Sequence, residues 1–504
     1  MAAAGPTPDE GETDPAPCGK LTGQTRASAE HPMTTAVPPL NQIAFSVVDL
    51  RRTERWFRAG FGFAPAGGSR LMMSSPLAER IQGLPGAAST CWWLVGRNPW
   101  FQLELFQFER PMARPLPLDF RPCDIGYTRI GLWVEDFDAT LERLARLGTQ
   151  PLAAPVGPRG SRRACVRSPD GVHVEIMEDD PLDDTAPAGR RDCPVAARSI
   201  TLSVPDLERS VAFFLGLGLE PWPGTLQTPE REAAWGLRDA LTRSQVLRAG
   251  DVLLEIAQYL DPPGRPWPER YRISDQGILN VAFGARSKDE HRRIYQRAVA
   301  AGARPNCRPV HLPGAGVVYV NTADGFSVEI LWMKRGRPDR AWGFEPRPIE
   351  KRPPPDTHAV ETSIRCAAPI DHVWQVVTDH EGMAAWSGFK PVAVTRAGQG
   401  ARNGYGSQRT MRGPTGSVVE EVVGWEPPHV CRYRVVDGSP FVAHQGELQL
   451  AERNGGTELT WRIRFRPRVP GTGPLLRALM GRLLESALRQ RLKPLVESRR
   501  PAGD

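Results

Sequence analysis

The sequence predicts an α+β protein of three domains: two copies of one strand-rich unit, then a third unit of different character. Three observations carry that expectation. "IAFSVVDLRRTERWF" at Ile43 resembles "ITLSVPDLERSVAFF" at Ile200, "FQLELFQF" at Phe101 resembles "VLLEIAQY" at Val252, and "SPDGVHVEI" at Ser168 resembles "TADGFSVEI" at Thr322. The matches keep one order and an offset of about 151 to 157 residues, which marks an internal duplication. Within each copy a strand, a helix and several strands are followed by a second such series. From His358 both the repeat and this pattern stop.

The elements follow in order. Residues 1–37 are rich in Pro, Gly, Thr and acidic residues and lack a basic start followed by an apolar block. They read as a disordered leader rather than a secretory signal. In "QIAFSVVDL" apolar residues alternate with small or polar ones, as in a half-buried strand. Asp49 then stands where a helix N-cap belongs, and Gly60 and Gly62 punctuate the helix end. "VEDFDATLERLARLG" repeats the logic, with Asp136 or Asp138 as cap and Gly148 as stop. The first module spans 38–182, a charged linker 183–195, the second module 196–335 and a Pro-rich linker 336–357. The third domain covers 358–498, with a tail at 499–504. It opens with a strand, Pro369 and a helix carrying Val373, Trp374, Val376 and Val377. "RNGGTE" signals a hairpin, and a last helix carries Leu475, Leu476, Leu479, Leu483, Leu484 and Leu488 as an apolar stripe against a sheet.

Composition excludes several classes. The eight cysteines are scattered without a CxxC pair, which argues against a disulfide framework or a zinc knuckle and fits a reducing cytoplasm. No run of about 18 apolar residues exists, so no membrane span is expected. The net charge of +7, from 64 basic and 57 acidic residues, is mild for this length. Arg462, Arg464, Arg466 and Arg468 alternate along one strand and read as a solvated face. No nucleic-acid-binding signature accompanies them.

The duplicated units resemble the vicinal oxygen chelate superfamily, which includes glyoxalase, methylmalonyl-CoA epimerase, extradiol dioxygenases and bleomycin-resistance proteins. The resemblance implies two modules of paired βαβββ units, each curling around a cavity with four inward positions that usually hold a divalent metal. Those positions fall on Gln42, Glu104, Arg129 and Glu175 in the first copy, and on Ser199, Glu255, Asn280 and Glu329 in the second. None is histidine, and the Arg129 guanidinium can only donate. Arg129 among Glu104 and Glu175 would replace the metal's charge, either as a substrate-gripping group or as an internal ion pair. Hence no metal ligand and no cofactor are assigned. An oxygen-ligated divalent ion on Gln42, Glu104 and Glu175 is the disfavoured alternative. The segment from Ala78 resembles a substrate-covering loop in epimerase-like members, with Leu84, Pro85, Trp92, Trp93 and Trp100 as candidate cavity lining. The third domain resembles the polyketide cyclase/dehydrase branch of the START-related helix-grip fold, whose members enclose an apolar tunnel. By residue type alone its candidates are Tyr405, Arg409, Glu421, His444 and Trp461.

The expectation is a small-molecule enzyme of bacterial secondary metabolism, performing metal-independent cyclisation, isomerisation or dehydration of a polyketide-like or aromatic substrate. Glu104 or Glu175 would act as base and Arg129 would stabilise oxyanion charge. Gln42, Trp93, Glu255, Asn280, Glu329, Tyr405 and Arg409 would contact substrate. The competing readings are sequestration of a hydrophobic metabolite and a metal-dependent glyoxalase- or epimerase-like lyase or isomerase. Oligomeric state is not legible.

Overall fold

Three sheets organise the chain, and the first two are each built from both copies of the repeat. The computed structural model describes residues 37–182, 190, 192–390, 392–413 and 416–498. The expected leader up to residue 36 and the tail lie outside the described residues, as does most of the first linker.

Each sequence copy contributes two strand–helix–strand units, and the structure pairs them crosswise. The Leu40–Ser46 strand pairs in parallel with Gln102–Arg110 of its own copy, and antiparallel with Gly277–Ala285 of the other copy. Gly277–Ala285 pairs in turn with Ser327–Met333. The second sheet does the same, joining Gly126–Val134 and His173–Met177 to Val195–Ser203 and Val252–Asp261. The repeats at 38–182 and 196–335 are therefore not two separate folding units. Strand alternation says which face of a strand is buried, but not which strand lies beside it.

The crossing is held by two equivalent loops. Arg114 donates to Asp275 at 2.6 Å, and Arg265 donates to Asp124 at 2.7 Å. Each aspartate also pairs with an arginine of its own loop, Arg121 on Asp124 and Arg272 on Asp275. Trp267 fills the space that a side chain at Gly126 would need, where φ is +133°.

Local signals match the expected ends. The Asp49 carboxylate accepts from the Arg51 and Arg52 amides and starts the Leu50–Trp56 helix, which runs on as a wide turn to Phe61 and stops at Gly62, φ 88°. Of the two candidate caps, Asp136 starts the Phe137–Arg146 helix, by accepting from the Ala139 amide at 2.9 Å.

The third domain is a seven-stranded antiparallel sheet gripped by the helix Gly473–Glu485 and its continuation to Ser498. Trp386, Tyr433, Trp461, Leu484, Leu488 and Leu492 fill the space between them. The expected leucine stripe is split. Leu484 and Leu488 are buried, but Leu475, Leu479 and Leu483 are exposed. Spaced four apart, these three share a helix face that turns away from the one Leu484 and Leu488 bury. Two of the four strand arginines also depart from expectation. Arg464 pairs with Asp49 and Asp356, and Arg466 pairs with Glu109 and donates to the Pro355 carbonyl. They dock the third sheet on the first repeat, while Arg462 keeps an exposed pair with Glu361.

The Pro-rich linker takes part in this docking, because Asp356 receives both Arg51 and Arg464. Asp356→Ala removes the carboxylate of Arg51 and one of the two that hold Arg464. We expect it to lower stability by about 2 kcal/mol, less than a fully buried pair because Arg51 is partly exposed. Limited proteolysis should then cut within 336–357 faster than in wild type; an unchanged cleavage rate would refute the docking role.

Candidate active site

The crosswise pairing redistributes the eight inward positions into two sites of opposite character. Gln42 and Glu104 face Glu329 across the first sheet. Arg129 and Glu175 face Glu255 across the second. The grouping of Glu104 with Arg129 and Glu175 is thus corrected, because the two halves of each repeat lie in different sheets.

The first site opens into a cavity of about 520 Å³. Gln42 sits between the carboxylates, its side-chain nitrogen 2.7 Å from Glu104 Oε2 and 2.9 Å from Glu329 Oε2. Trp93 Nε1 donates to Glu104 Oε1 at 2.8 Å, and the Cys91 thiol lies 3.2 Å from the same oxygen. Strand register places Tyr319 directly opposite Glu329, and the two side chains interact. Leu77, Ile81, Leu331 and Met333 give the cavity apolar walls, with Trp342 and Phe344 closing one side. The cover is the Leu71–Gln82 segment, where Ser75 caps a short helix with Pro76 in its first turn. Leu71 is 88% exposed beside the cavity, an unusual setting for a leucine.

Burial governs the chemistry here. Removal from water pushes the Glu104 carboxyl up to about 7. Glu329 rises well above the carboxylate range, from burial and then from the nearby Glu104 charge. Two carboxylates in one apolar site cannot both stay ionised at neutral pH, so the pair holds a proton and a negative charge together.

The amides around them admit two arrangements, since amide orientation follows from hydrogen bonding. In one, Gln42 donates to both carboxylates. In the other, Gln102 donates to the carbonyls of Trp342 and Gly343 at 3.1 and 2.7 Å. Gln42 then turns to donate to Gln102, 2.7 Å away, and presents its oxygen to the carboxylates. That second arrangement requires protons or a cation between the three oxygens.

The second site is closed. Arg129, 1% exposed, donates to Glu255 at 2.7 Å and lies 3.9 Å from Glu175. Its guanidinium stacks 3.3 Å from the centre of the Trp235 ring, and Trp235 Nε1 donates to Glu175. Thr201 completes the cluster with a 2.8 Å bond to Glu255. The guanidinium stands as the cation between two carboxylates, with an indole over it.

The remaining candidates scatter. Asn280 is fully buried on the first sheet beside Tyr319. Of the three tryptophans, Trp93 lines the cavity. Trp92 faces away under Arg352 at 3.7 Å, and Trp100 packs on Phe344. Tyr405 leaves the third domain to donate to the Leu116 carbonyl at 3.0 Å. Arg409 lies inside that domain, bound to Glu420 at 2.6 and 2.8 Å. Neither lines the Glu104 cavity. Sequence reading missed Cys91, Gln102 and Tyr319. Tyr319 was legible in principle, from alternation in "GVVYVN" just before the strand of Glu329.

Two family models match the chain. One, described as the glyoxalase/bleomycin resistance protein/dioxygenase superfamily, matches residues 41–166. The other, described as polyketide cyclase/dehydrase and lipid transport, matches residues 357–498. Among solved structures, the chain is similar to glyoxalase I from Zea mays at 18% identity, over 59% of this chain and 92% of that one, with a TM-score of 0.39. A putative dioxygenase from Bacillus subtilis is similar at 13% identity, over 62% and 94%, with a TM-score of 0.41. A START superfamily protein from Mycobacterium smegmatis is similar at 19% identity, over 28% and 99%, with a TM-score of 0.26. No curated protein is similar enough to count as a match. Among the described residues, no helix is long and apolar enough to cross a membrane.

Proposed function

We propose, for a chain with a glyoxalase/bleomycin resistance/dioxygenase-superfamily domain at 41–166 and a polyketide cyclase/dehydrase domain at 357–498, that it moves a proton on an apolar carbonyl compound. The compound binds under the Leu71–Gln82 segment, against the Glu104–Glu329 pair. Both domain types are small-molecule-binding enzyme families, which supports the coarse reading. The single observation that carries the finer one is the carboxylate pair sharing Gln42 at the floor of an apolar cavity.

The step balances within the site. The ionised carboxylate removes a proton from the carbon next to the substrate carbonyl, and the protonated partner gives its proton to the forming enolate oxygen. Return of the proton to another carbon completes an isomerisation; where a β-hydroxyl instead takes the abstracted proton and leaves as water, and the enol proton returns to its carboxylate, the result is a dehydration. Glu104, Glu329 and Gln42 carry this chemistry. Arg129 and Glu175 take no part, because Trp235 covers them.

A second reading adds a divalent ion, and the turned Gln42 amide favours it. Gln42, Glu104 and Glu329 offer oxygen donors only, which suits a hard ion such as Mg or Mn better than zinc. Among the described residues no three His, Cys, Asp or Glu gather as a metal cluster, so the amide oxygen would have to complete the set. Bound there, the ion would neutralise the pair and polarise a substrate oxygen.

The test is α-proton exchange in D2O, followed by NMR on a panel of aryl ketones. Exchange is expected with wild type and should fall at least about 100-fold in Glu104→Gln and Glu329→Gln. Saturable binding with no exchange would overturn the reading in favour of sequestration. Elemental analysis of the purified protein separates the two versions of the site.

A further inference from the structure

A second cavity, of about 690 Å³, lies between the first repeat and the third domain, remote in character from the carboxylate site. Eight arginines and three acidic side chains line it. Asp356 and Glu361 neutralise some of that excess from outside the walls. Among the described residues Arg55, Arg146 and Arg167 form no ion pair with a carboxylate; Arg167 donates to the carbonyls of Leu118 and Phe120, with the Asp119 charge nearby. Arg52 and Arg432 converge on one oxygen of Glu426, at 3.4 and 2.5 Å, and Arg432 also pairs with Glu447 at 2.8 Å, so Arg52 is the less compensated of the two. The two guanidiniums repel each other, and a further anion beside Arg52 would relieve that repulsion. In keeping with this geometry, burial and then the Arg432 charge lower the Arg52 pKa.

We propose that this cleft binds a polyanionic small molecule, a diphosphate-bearing compound being the class that fits. Guanidinium forks match phosphate oxygens in pairs, and several unpaired forks around one concavity select adjacent negative charges over a single carboxylate. The cleft is bounded by walls from two domains, so it suits a compact ligand rather than a polymer. Leu147 and Leu152 on the same walls present apolar surface to an organic portion.

Calorimetric titration of the full chain with inorganic pyrophosphate at 0.15 M salt tests the proposal. One-to-one binding is expected, with sulfate binding more weakly at equal ionic strength. The double variant Arg55→Ser/Arg146→Ser should weaken pyrophosphate binding at least tenfold. Both side chains are exposed, so its melting temperature should match wild type. Absence of binding, or equal binding by the variant, overturns the proposal. So does single-stranded DNA that binds more tightly than pyrophosphate and displaces it, since that would make the cleft part of a polymer-binding surface.

Discussion

Replacing Arg129 with alanine is expected to destabilise the fold by about 3–5 kcal/mol. The substitution leaves Glu175 and Glu255 facing each other, with side chains only 2% and 0% exposed, and removes the cation between them. It also empties the space under Trp235. That loss is a large fraction of what a domain has to spare. The pair itself need not be stabilising relative to apolar residues. The combined change Arg129→Met, Glu175→Leu, Glu255→Leu should therefore return stability to near wild type. Urea denaturation of the three chains, wild type, single and triple, decides the matter. A single variant within 1 kcal/mol of wild type would show that water reaches the cluster, and that this site is open after all. The contrast with the Glu104 site is the point of the experiment. The Arg129 site places a covalently attached cation between its carboxylates and closes over it, whereas the Glu104 site sets two carboxylates beside an open cavity.

How much of this was legible in the sequence follows from what each signal encodes. The repeat, the helix caps at Asp49 and Asp136, the "RNGGTE" hairpin and the change of character at His358 are local, and the structure shows each of them in place. The inward positions come, strand by strand, from the resemblance to the vicinal oxygen chelate superfamily, and alternation then says which side chains share a face. What alternation does not encode is the neighbour. Gln42 and Arg129 lie on strands of similar pattern within one copy, yet they belong to different sheets. The pairing is decided by long-range contacts such as Arg114 with Asp275 and Arg265 with Asp124. Those residues do repeat in the sequence, as "RPLPLDFRPCD" and "RPWPERYRISD", and that repeat was the available clue. The strand arginines failed for the same reason. Arg464 and Arg466 do lie on an outer face, but another domain covers it.

Glu104→Gln is expected to make the protein more stable above about pH 4.5, and most so at neutral and alkaline pH. Burial holds the Glu104 carboxyl at about 7, against an ordinary value of 4.5. Between those values the folded protein binds a proton that the unfolded chain has released. Stability therefore falls as pH rises through that window and stays lower above it. A difference of that size corresponds to about 3 kcal/mol at pH 8. Because Glu329 shares the site, the pair titrates as a unit, and the midpoint belongs to both carboxyls. Glutamine keeps the shape and an acceptor for Trp93 but has no charge to bury. The variant should thus exceed wild type by about 3 kcal/mol at pH 8, and the two should converge below pH 4.5. Denaturation midpoints at several pH values give the curve directly. Equal stability at pH 8 would mean that the carboxyl is solvated, and the acid–base reading would lose its physical basis. If the gain appears while α-proton exchange is lost, the same side chain will have been shown to weaken the fold and to drive the chemistry. That trade is expected of a group placed for reaction rather than for packing.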